Sequence, residues 1–216
     1  MAIPKIEQYA LPTEADIPVN VVGWSVEPSR GALLVHDMQR YFVRAFPAEV
    51  APIRPAITNM TLIMRRCRQL GMPIFYSAQP GGMTREDRGL LRDFWGDGMR
   101  VEPDDRQIIE ELLPREEDEV LPKWRYSAFH RSPLERLLQE KGRDQLIVCG
   151  IYAHIGCLMT VCDAFTKDIM PFLVADAIAD FNWDYHLQAL TYAAERCAAT
   201  PSTTQLLSQL AAGGKS

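Results

Sequence analysis

No stretch of this sequence is apolar over the roughly 20 consecutive residues that a membrane-spanning helix needs. Its opening residues, MAIPKIEQYALP, also lack the apolar core of a signal peptide, because Pro, Lys and Glu interrupt them. A basic stripe is missing as well, since the formal net charge is −5 and the basic residues are spread among acidic ones. These absences argue against membrane and nucleic-acid partners, and we expect an unprocessed cytoplasmic protein.

Cysteine pairs at metal-binding or redox-active spacing are absent too. The five cysteines stand singly in apolar or helical contexts: Cys67, Cys149, Cys157, Cys162 and Cys197. There is no C-x-x-C pair and no histidine at zinc-finger spacing. An odd number of isolated cysteines is typical of a reduced, intracellular protein, so neither a disulfide framework nor a metal site is expected.

The length of the chain limits its domain organisation. With 216 residues, of which 47% are hydrophobic, it can bury one large core but is short for two domains. We predict a single domain over residues 1–216 without a carrier domain. Residues 1–30 contain several prolines and little periodicity, which favours an extended arm across the domain surface. Residues 211–216 are expected to form a frayed tail.

Short apolar runs alternate with helical patterns along the rest of the chain. Strands are predicted at 31–35, 73–78, 119–122, 145–149 and 171–175. Helices are predicted at 53–70, 133–141, 156–167 and 184–197. This alternation indicates an α/β fold, a three-layer, doubly wound, Rossmann-like sheet of about six parallel strands. Between the second and third strands, residues 79–113 predict a long loop with short helical pieces that covers part of the domain.

Polar side chains follow four of the predicted strands at the point where each strand ends. They are Asp37, Gln79, the run from Lys123 to Tyr126, and Tyr152 with His154. Ligands of open parallel sheets bind beyond these carboxyl ends, so the groups converge on one cleft if the first four strands are neighbours. Taken singly, each residue has an ordinary structural explanation. An Asp after a strand often caps a helix, turn charges are usually solvated, and aromatic residues or a lone histidine often belong to the core.

Five long segments resemble the isochorismatase family. They are LLVHDMQRYF at 33–42, AQPGGMTREDRGLLRDFWGDGM at 78–99, KWRYSAFHRSPLE at 123–135, CGIYAHIGCLMT at 149–160 and FLVADAIADF at 172–181. The resemblance implies an isochorismatase-like hydrolase fold, no cofactor, and a non-proline cis peptide near Ala153 and His154. It also implies a homodimer, and leaves a separate aryl carrier protein as a candidate partner.

Two substrates fit this resemblance. Siderophore-pathway members convert isochorismate to 2,3-dihydro-2,3-dihydroxybenzoate and pyruvate. The phenazine-pathway enzyme converts 2-amino-2-deoxyisochorismate to trans-2,3-dihydro-3-hydroxyanthranilate and pyruvate. Because the motifs are similar to both branches, the sequence leaves both substrates open.

Cleavage of a vinyl ether starts with protonation of its terminal methylene carbon, which requires one positioned acid and a shell that holds the substrate. We predict Asp37 as the acid and Lys123 as a catalytic residue that orients a substrate oxygen or carboxylate. Candidates for contacts with carboxylates and hydroxyls are Gln79, Arg88, Tyr152 and the backbone N–H groups at Gly156. Candidates for the walls around the ring are Phe42, Trp95 and Tyr126.

Two other functions stay open at this point. Nicotinamidases and related cysteine hydrolases, to which the wider resemblance extends, have a nucleophilic cysteine where this sequence has Gly156. Cys157 follows directly, but one position along a helix turns a side chain by about 100°. A cysteine amidohydrolase is therefore a weaker alternative. A non-catalytic docking module for a carrier protein is the other, and it would not need Asp37.

Overall fold

The computed structural model describes residues 3–213 and is built around one parallel sheet. Its strands are β1 (Gly31–His36), β2 (Ile74–Ala78), β3 (Glu119–Pro122), β4 (Gln145–Ile151) and β5 (Met170–Ala179). The helices are α1 (Arg40–Val43), α2 (Ile53–Gln69), α3 (Arg85–Arg88), α4 (Leu91–Trp95), α5 (Pro103–Arg106), α6 (Leu134–Glu140), α7 (Leu158–Thr166), α8 (Trp183–Arg196) and α9 (Thr203–Ala212). The strand order is β3-β2-β1-β4-β5, so the first four strands are neighbours as the cleft prediction required.

Both faces of the sheet are covered, which explains why the strands read as continuous apolar runs. Successive residues of β1 point to opposite faces, so Leu33 and Val35 join one core while Ala32 and Leu34 join the other. The apolar stripes of α2 and α9 close the first core, and those of α6, α7 and α8 close the second. The predicted three-layer, doubly wound fold is confirmed.

The sheet within residues 3–213 has five strands, where the sequence predicted about six. The chain after α8 begins a sixth beside β5, where Ala199 pairs with Phe172 in a single parallel bridge. The next ladder position carries Pro201, whose carbonyl accepts from Ala175 N–H at 2.9 Å. Because proline has no N–H to donate, the ladder stops there.

Several element bounds differ from the sequence prediction. Strand β5 continues to Ala179, past the predicted end at Ala175, and β4 continues to Ile151. The helix predicted at 156–167 begins as a wide π-type turn, Ala153–Cys157, before α7. Helix α9 includes residues 211 and 212 of the predicted frayed tail, while residues 214–216 lie outside the described part of the chain.

The cis peptide that the resemblance implied is found two residues earlier than expected, between Ile151 and Tyr152. It lies where β4 ends and the π-type turn begins. The side chain of Asp180, at the end of β5, holds this turn by accepting from the backbone N–H of His154 at 2.6 Å and from its ring Nδ1 at 2.7 Å. His154 is thus a paired structural histidine in this fold.

The N-terminal residues 3–30 contain no helix or strand and run along the domain. Ile6 and Val26 are buried in the core that α2 and α9 close. The Tyr9 hydroxyl accepts from the Asp180 backbone N–H at 2.8 Å and lies 2.9 Å from Nδ1 of His186. No described helix is long and apolar enough to cross a membrane.

Candidate active site

A cavity lies at the carboxyl ends of the strands, where β1 separates β2 on one side from β4 on the other. Such a reversal of strand order leaves a crevice, because the connections from the two strands run to opposite faces. The nine residues that the sequence assigned to the site all line this cavity: Asp37, Phe42, Gln79, Arg88, Trp95, Lys123, Tyr126, Tyr152 and Gly156.

Asp37 and Lys123 form a buried ion pair at the floor of the cavity. The Lys123 ammonium lies 3.1 Å from Oδ2 of Asp37, and their residues are only 3% and 7% exposed. The Ser77 hydroxyl donates to Oδ1 of Asp37 at 2.7 Å. Asp37 has a φ of 52°, a left-handed conformation that Asp tolerates better than most residues, and its N–H donates to the Ser77 carbonyl at 3.1 Å. The carboxylate is therefore fixed from two sides.

His36 lies directly behind this pair. Its ring is completely buried, and Nδ1 is 3.1 Å from the Ile151 carbonyl and 3.7 Å from Oδ2 of Asp37. Burial lowers the pKa of His36 to about 4, an effect that the nearby Lys123 charge reinforces and Asp37 opposes. The ring is consequently neutral at neutral pH. Since a carbonyl can only accept, Nδ1 carries the proton.

Arg88 brings an unpaired positive charge into the cavity. Its Nε donates to the Gly96 carbonyl at 2.9 Å and its Nη1 to Oε1 of Gln79 at 3.3 Å. Burial lowers the pKa of this guanidinium from its usual value, and no carboxylate lies within salt-bridge distance of it among the described residues. Gly98 leaves room for the group, because a Cβ there would lie 2.6 Å from Cζ of Arg88. A buried cation of this kind is suited to bind an anion.

The cavity is cationic as a whole. Among the described lining residues, Asp37 is the one carboxylate, whereas Arg88, Lys123 and Arg125 are cations. The guanidinium of Arg125 donates to two backbone carbonyls, of Asp87 at 2.7 Å and of Trp124 at 2.6 Å. The arrangement can hold an anionic ligand next to a single acidic group.

Gln79 is held in place from behind by Gln39, which is 1% exposed. The Gln39 side chain accepts from the Gln79 N–H at 2.7 Å and donates to the Gln79 carbonyl at 2.9 Å. It also donates to the Arg106 carbonyl at 2.8 Å, which ties the 79–113 segment to the end of β1. Since Gln79 Oε1 already faces Arg88, its amide N–H₂ remains to donate to a ligand.

Aromatic side chains form the walls. The Trp95 indole N–H donates to the Tyr126 hydroxyl at 2.9 Å, which links α4 to the chain after β3. The Tyr152 hydroxyl donates to the Phe42 carbonyl at 3.0 Å, and burial raises the pKa of Tyr152 above its usual value. Its proton is engaged within the protein, so Tyr152 faces the cavity chiefly with its ring, tilted against Phe181 at 4.6 Å between centroids.

The sequence missed several other lining residues, which are Ile3, Tyr41, Leu91, Gly98, Met99, Ile151, Ile155 and Phe181. Arg125 was noted at a strand end but was not assigned to the site. The 79–113 segment contributes Arg88, Leu91, Trp95, Gly98 and Met99, so it covers the cavity as predicted. Phe181 could have been assigned to the cavity if β5 had been predicted to its full length, because it lies just beyond the carboxyl end of that strand.

Cys157 does not line the cavity. It is completely buried, and burial raises the pKa of its thiol well above the usual value. A thiol in this environment stays protonated and is a poor nucleophile. Within residues 3–213, no group of three or more His, Cys, Asp or Glu side chains is arranged to hold a metal ion.

Comparisons with known proteins agree with this architecture. Residues 31–205 match the isochorismatase domain family. The isochorismatase of Bacillus subtilis (strain 168) is 52% identical over 210 residues, covering 97% of this chain and 67% of that protein. Phenazine biosynthesis protein PhzD1 of Pseudomonas aeruginosa PAO1 is 52% identical over 205 residues, covering 95% of this chain and 98% of that protein. The crystal structure of a cysteine hydrolase from Pseudomonas syringae pv. phaseolicola 1448A shares the fold, with a TM-score of 0.81 and 22% identity over 91% of this chain and 98% of that one.

Proposed function

The chain belongs to the isochorismatase family, and on that premise we propose that it hydrolyses the enolpyruvyl vinyl ether of isochorismate, of 2-amino-2-deoxyisochorismate, or of both. The observation that carries the proposal is the single carboxylate, Asp37, in a cavity whose other charged lining residues are cations. A dicarboxylate ether needs this combination of one acid and several positive charges. The isochorismatase and the phenazine biosynthesis protein have the same sequence identity to this chain, 52%, so the proposal covers both ethers.

In the proposed reaction, Asp37 protonates the terminal methylene carbon of the enolpyruvyl group. The resulting oxocarbenium ion is captured by water, which returns a proton to Asp37, and the hemiketal collapses to pyruvate and the ring alcohol. Asp37 must hold a proton when the substrate is bound. Two substrate carboxylates closing the cavity favour the protonated form by adding negative charge and excluding water.

The remaining residues bind and orient the substrate in this proposal. Lys123 contacts a substrate oxygen or carboxylate and stabilises the Asp37 carboxylate after it has given up its proton. Arg88 and Gln79 bind a carboxylate, and the backbone at Gly156 offers N–H groups. Phe42, Trp95, Tyr126 and Tyr152 enclose the ring and exclude water, which strengthens the electrostatic contacts.

The two alternative functions receive less support. A cysteine amidohydrolase needs a thiol beside an acid and a base, yet no cysteine is among the described lining residues. A docking module without catalysis has no use for a buried ion pair at the floor of a cavity. A buried ion pair such as Asp37–Lys123 in a cavity is typical of an active site.

The deciding experiment is a coupled assay of pyruvate release from each ether, offered separately to the purified protein. Release from either substrate supports the proposal, and the ratio of the two kcat/KM values tells which branch this chain belongs to. Absence of pyruvate with both ethers, from protein shown to be folded by circular dichroism, would reject it. Nicotinamide belongs in the same series as a test of the amidohydrolase alternative.

The partners that the resemblance implied stay part of the proposal. We propose that the protein is a homodimer. Light scattering coupled to size-exclusion chromatography would detect the dimer, and a monomeric mass at all protein concentrations would contradict the proposal. Leu90 and Phe94, 77% and 64% exposed beside the cavity, are apolar surface that association would bury. A separate aryl carrier protein stays a second candidate partner.

A further inference from the structure

Position 156 is glycine for lack of space. A Cβ built on Gly156 would overlap Cε1 of His36 and lie 3.0 Å from both of its ring nitrogens. The backbone of Gly156 itself does not require glycine, because its φ lies outside the left-handed region in which other residues are strained. The imidazole of His36 therefore occupies the volume into which any side chain at position 156 would project.

The His36 ring cannot easily leave this volume. It is completely buried at the end of β1, and its Nδ1–H donates to the Ile151 carbonyl at 3.1 Å. The groups facing it include Asp37, whose Oδ2 is 3.7 Å from Nδ1, and the Lys123 ammonium, which is 3.1 Å from that same oxygen. Moving the ring away would break this buried hydrogen bond to the Ile151 carbonyl.

We infer that His36 is a specificity-determining residue, whose buried imidazole keeps position 156 free of a side chain and so reserves the Asp37–Lys123 pair for acid catalysis. This inference rests on the proposed function for the acid chemistry, but its steric part does not. Gly156 lines the same cavity as Asp37 and Lys123. A thiol placed there would lie beside an acid and a cation, the surroundings that activate cysteine nucleophiles. The same fold does occur in a cysteine hydrolase.

The inference makes His36 and Gly156 a reciprocal pair. A side chain at position 156 should be tolerated only when residue 36 is small enough to vacate the ring volume. Valine at position 36 branches next to the backbone and suits a strand, so His36→Val empties that volume while keeping β1 favourable. The single substitution Gly156→Cys should fail where the double substitution His36→Val/Gly156→Cys succeeds.

A double-mutant cycle on the melting temperature tests the steric part. Overpacking of a buried site predicts that Gly156→Cys lowers Tm by about 5–10 °C in the His36 background. In the His36→Val background the same change should lower Tm by less than about 2 °C. Gly156→Ala, measured in both backgrounds, adds the same Cβ without a thiol and should give the same pattern. Equal losses in the two backgrounds would overturn the inference.

Alkylation by iodoacetamide tests whether the emptied volume opens onto the Asp37–Lys123 pair. The thiolate displaces iodide, and peptide mapping by mass spectrometry separates position 156 from the native cysteines, with wild-type protein as the blank. In His36→Val/Gly156→Cys the rate should rise with a midpoint below pH ~8.5, the value of a free thiol, because Lys123 stabilises the thiolate. A thiol that stays unreactive, or whose midpoint is at or above pH ~8.5, would show that the volume vacated by the imidazole does not open onto the Asp37–Lys123 pair.

A second variant guards against misfolding of the first. His36→Asn keeps an N–H donor near the Ile151 carbonyl but removes the outer part of the ring, so His36→Asn/Gly156→Cys should follow the same two trends. The outcomes also separate this inference from the proposed function. Wild-type protein that releases no pyruvate rejects the ether hydrolase and leaves the cycle interpretable, whereas an additive cycle rejects the role of His36 whatever the ether assay gives.

Discussion

The Lys123 ammonium lies 3.1 Å from the Asp37 carboxylate, although 86 positions separate the two residues in the chain. They follow β1 and β3, strands that are not neighbours, and they meet across the end of β2, where Ser77 donates to the same carboxylate. The pair exists because three parallel strands end at one edge of the sheet. Its chemistry depends on both partners, and each can be removed separately.

Asp37→Asn should abolish pyruvate release while substrate binding remains. A general acid typically contributes about 10²–10⁴-fold to rate, so kcat should fall by at least that factor. Stopped-flow or coupled assays measure kcat, and binding of the unreacted ether can be followed by calorimetry. Asp168→Asn is the matched control, because Asp168 has the same left-handed backbone, with a φ of 57°, and lies at the opposite end of the sheet before β5. Near-wild-type kcat in Asp37→Asn would exclude it as the acid.

Lys123→Met should destabilise the protein by about 3–5 kcal/mol, since it leaves the Asp37 carboxylate buried without its partner. Asp37→Asn in the same background removes that stranded charge and should recover part of the loss. Urea denaturation with linear extrapolation gives the free energies of unfolding. The control is Lys141→Met, which breaks an exposed contact with Glu119 at 3.6 Å and should cost no more than about 1 kcal/mol. Equal effects of the two lysine changes would contradict a buried pair.

Gly98→Ala should raise KM for the ether by displacing the guanidinium of Arg88. A Cβ at position 98 would lie 2.6 Å from Cζ of Arg88, and the flexible side chain would give way. Losing one charge-assisted hydrogen bond of about 1.5–3 kcal/mol corresponds to a roughly ten- to hundredfold weaker contact. Gly142→Ala has the same backbone strain, with a φ of 63° against 79°, but meets no atom within 4 Å. Both variants should lose similar stability, and only Gly98→Ala should change KM.

Acid should destabilise the wild-type protein partly through His36. Burial lowers the pKa of His36 from 6.5 to about 4, so the unfolded chain binds a proton between these values and the folded protein does not. The stabilising contribution is complete above pH 6.5 and is lost as the pH falls towards 4, amounting to about 3 kcal/mol. His36→Asn has no group that titrates here and should show a flatter pH dependence in urea denaturation. Parallel curves for the two proteins would exclude this explanation. His186, whose pKa burial also lowers, remains in both and cancels in the comparison.

Much of the site could be predicted from strand ends alone. Asp37, Gln79 and Lys123 each follow a short apolar run, and parallel strands in one sheet bring such positions together. Arg88 and Trp95 lie in a segment without regular periodicity, and only the resemblance to a family pointed to them. The roles of Gln39 and Ser77 could not be predicted from the sequence, because their hydrogen bonds to site residues depend on strand order and register.

Strand β5 shows where pattern reasoning failed. Asp176 interrupts its apolar run, so the predicted strand ended at Ala175. In the folded protein the Asp176 carboxylate accepts from the backbone N–H and the hydroxyl of Thr203, both at 2.7 Å, at the start of α9. An acid at a helix N-terminus is favourable, and this distant helix makes Asp176 acceptable within a strand. The missed extension leads to Phe181, which lines the cavity, and to Asp180, which holds the turn after β4.

The incomplete sixth strand also determines how molecules of this protein can meet. An open sheet edge offers unpaired N–H and C=O groups to a strand of another molecule. Ala199 and Pro201 already occupy such groups along β5, and Pro201 ends that ladder without offering a donor of its own. At the other edge, β3 is only four residues long and begins with Glu119. Neither border favours continuation of the sheet from one molecule into the next, so we expect the proposed dimer to form through helix and loop surfaces.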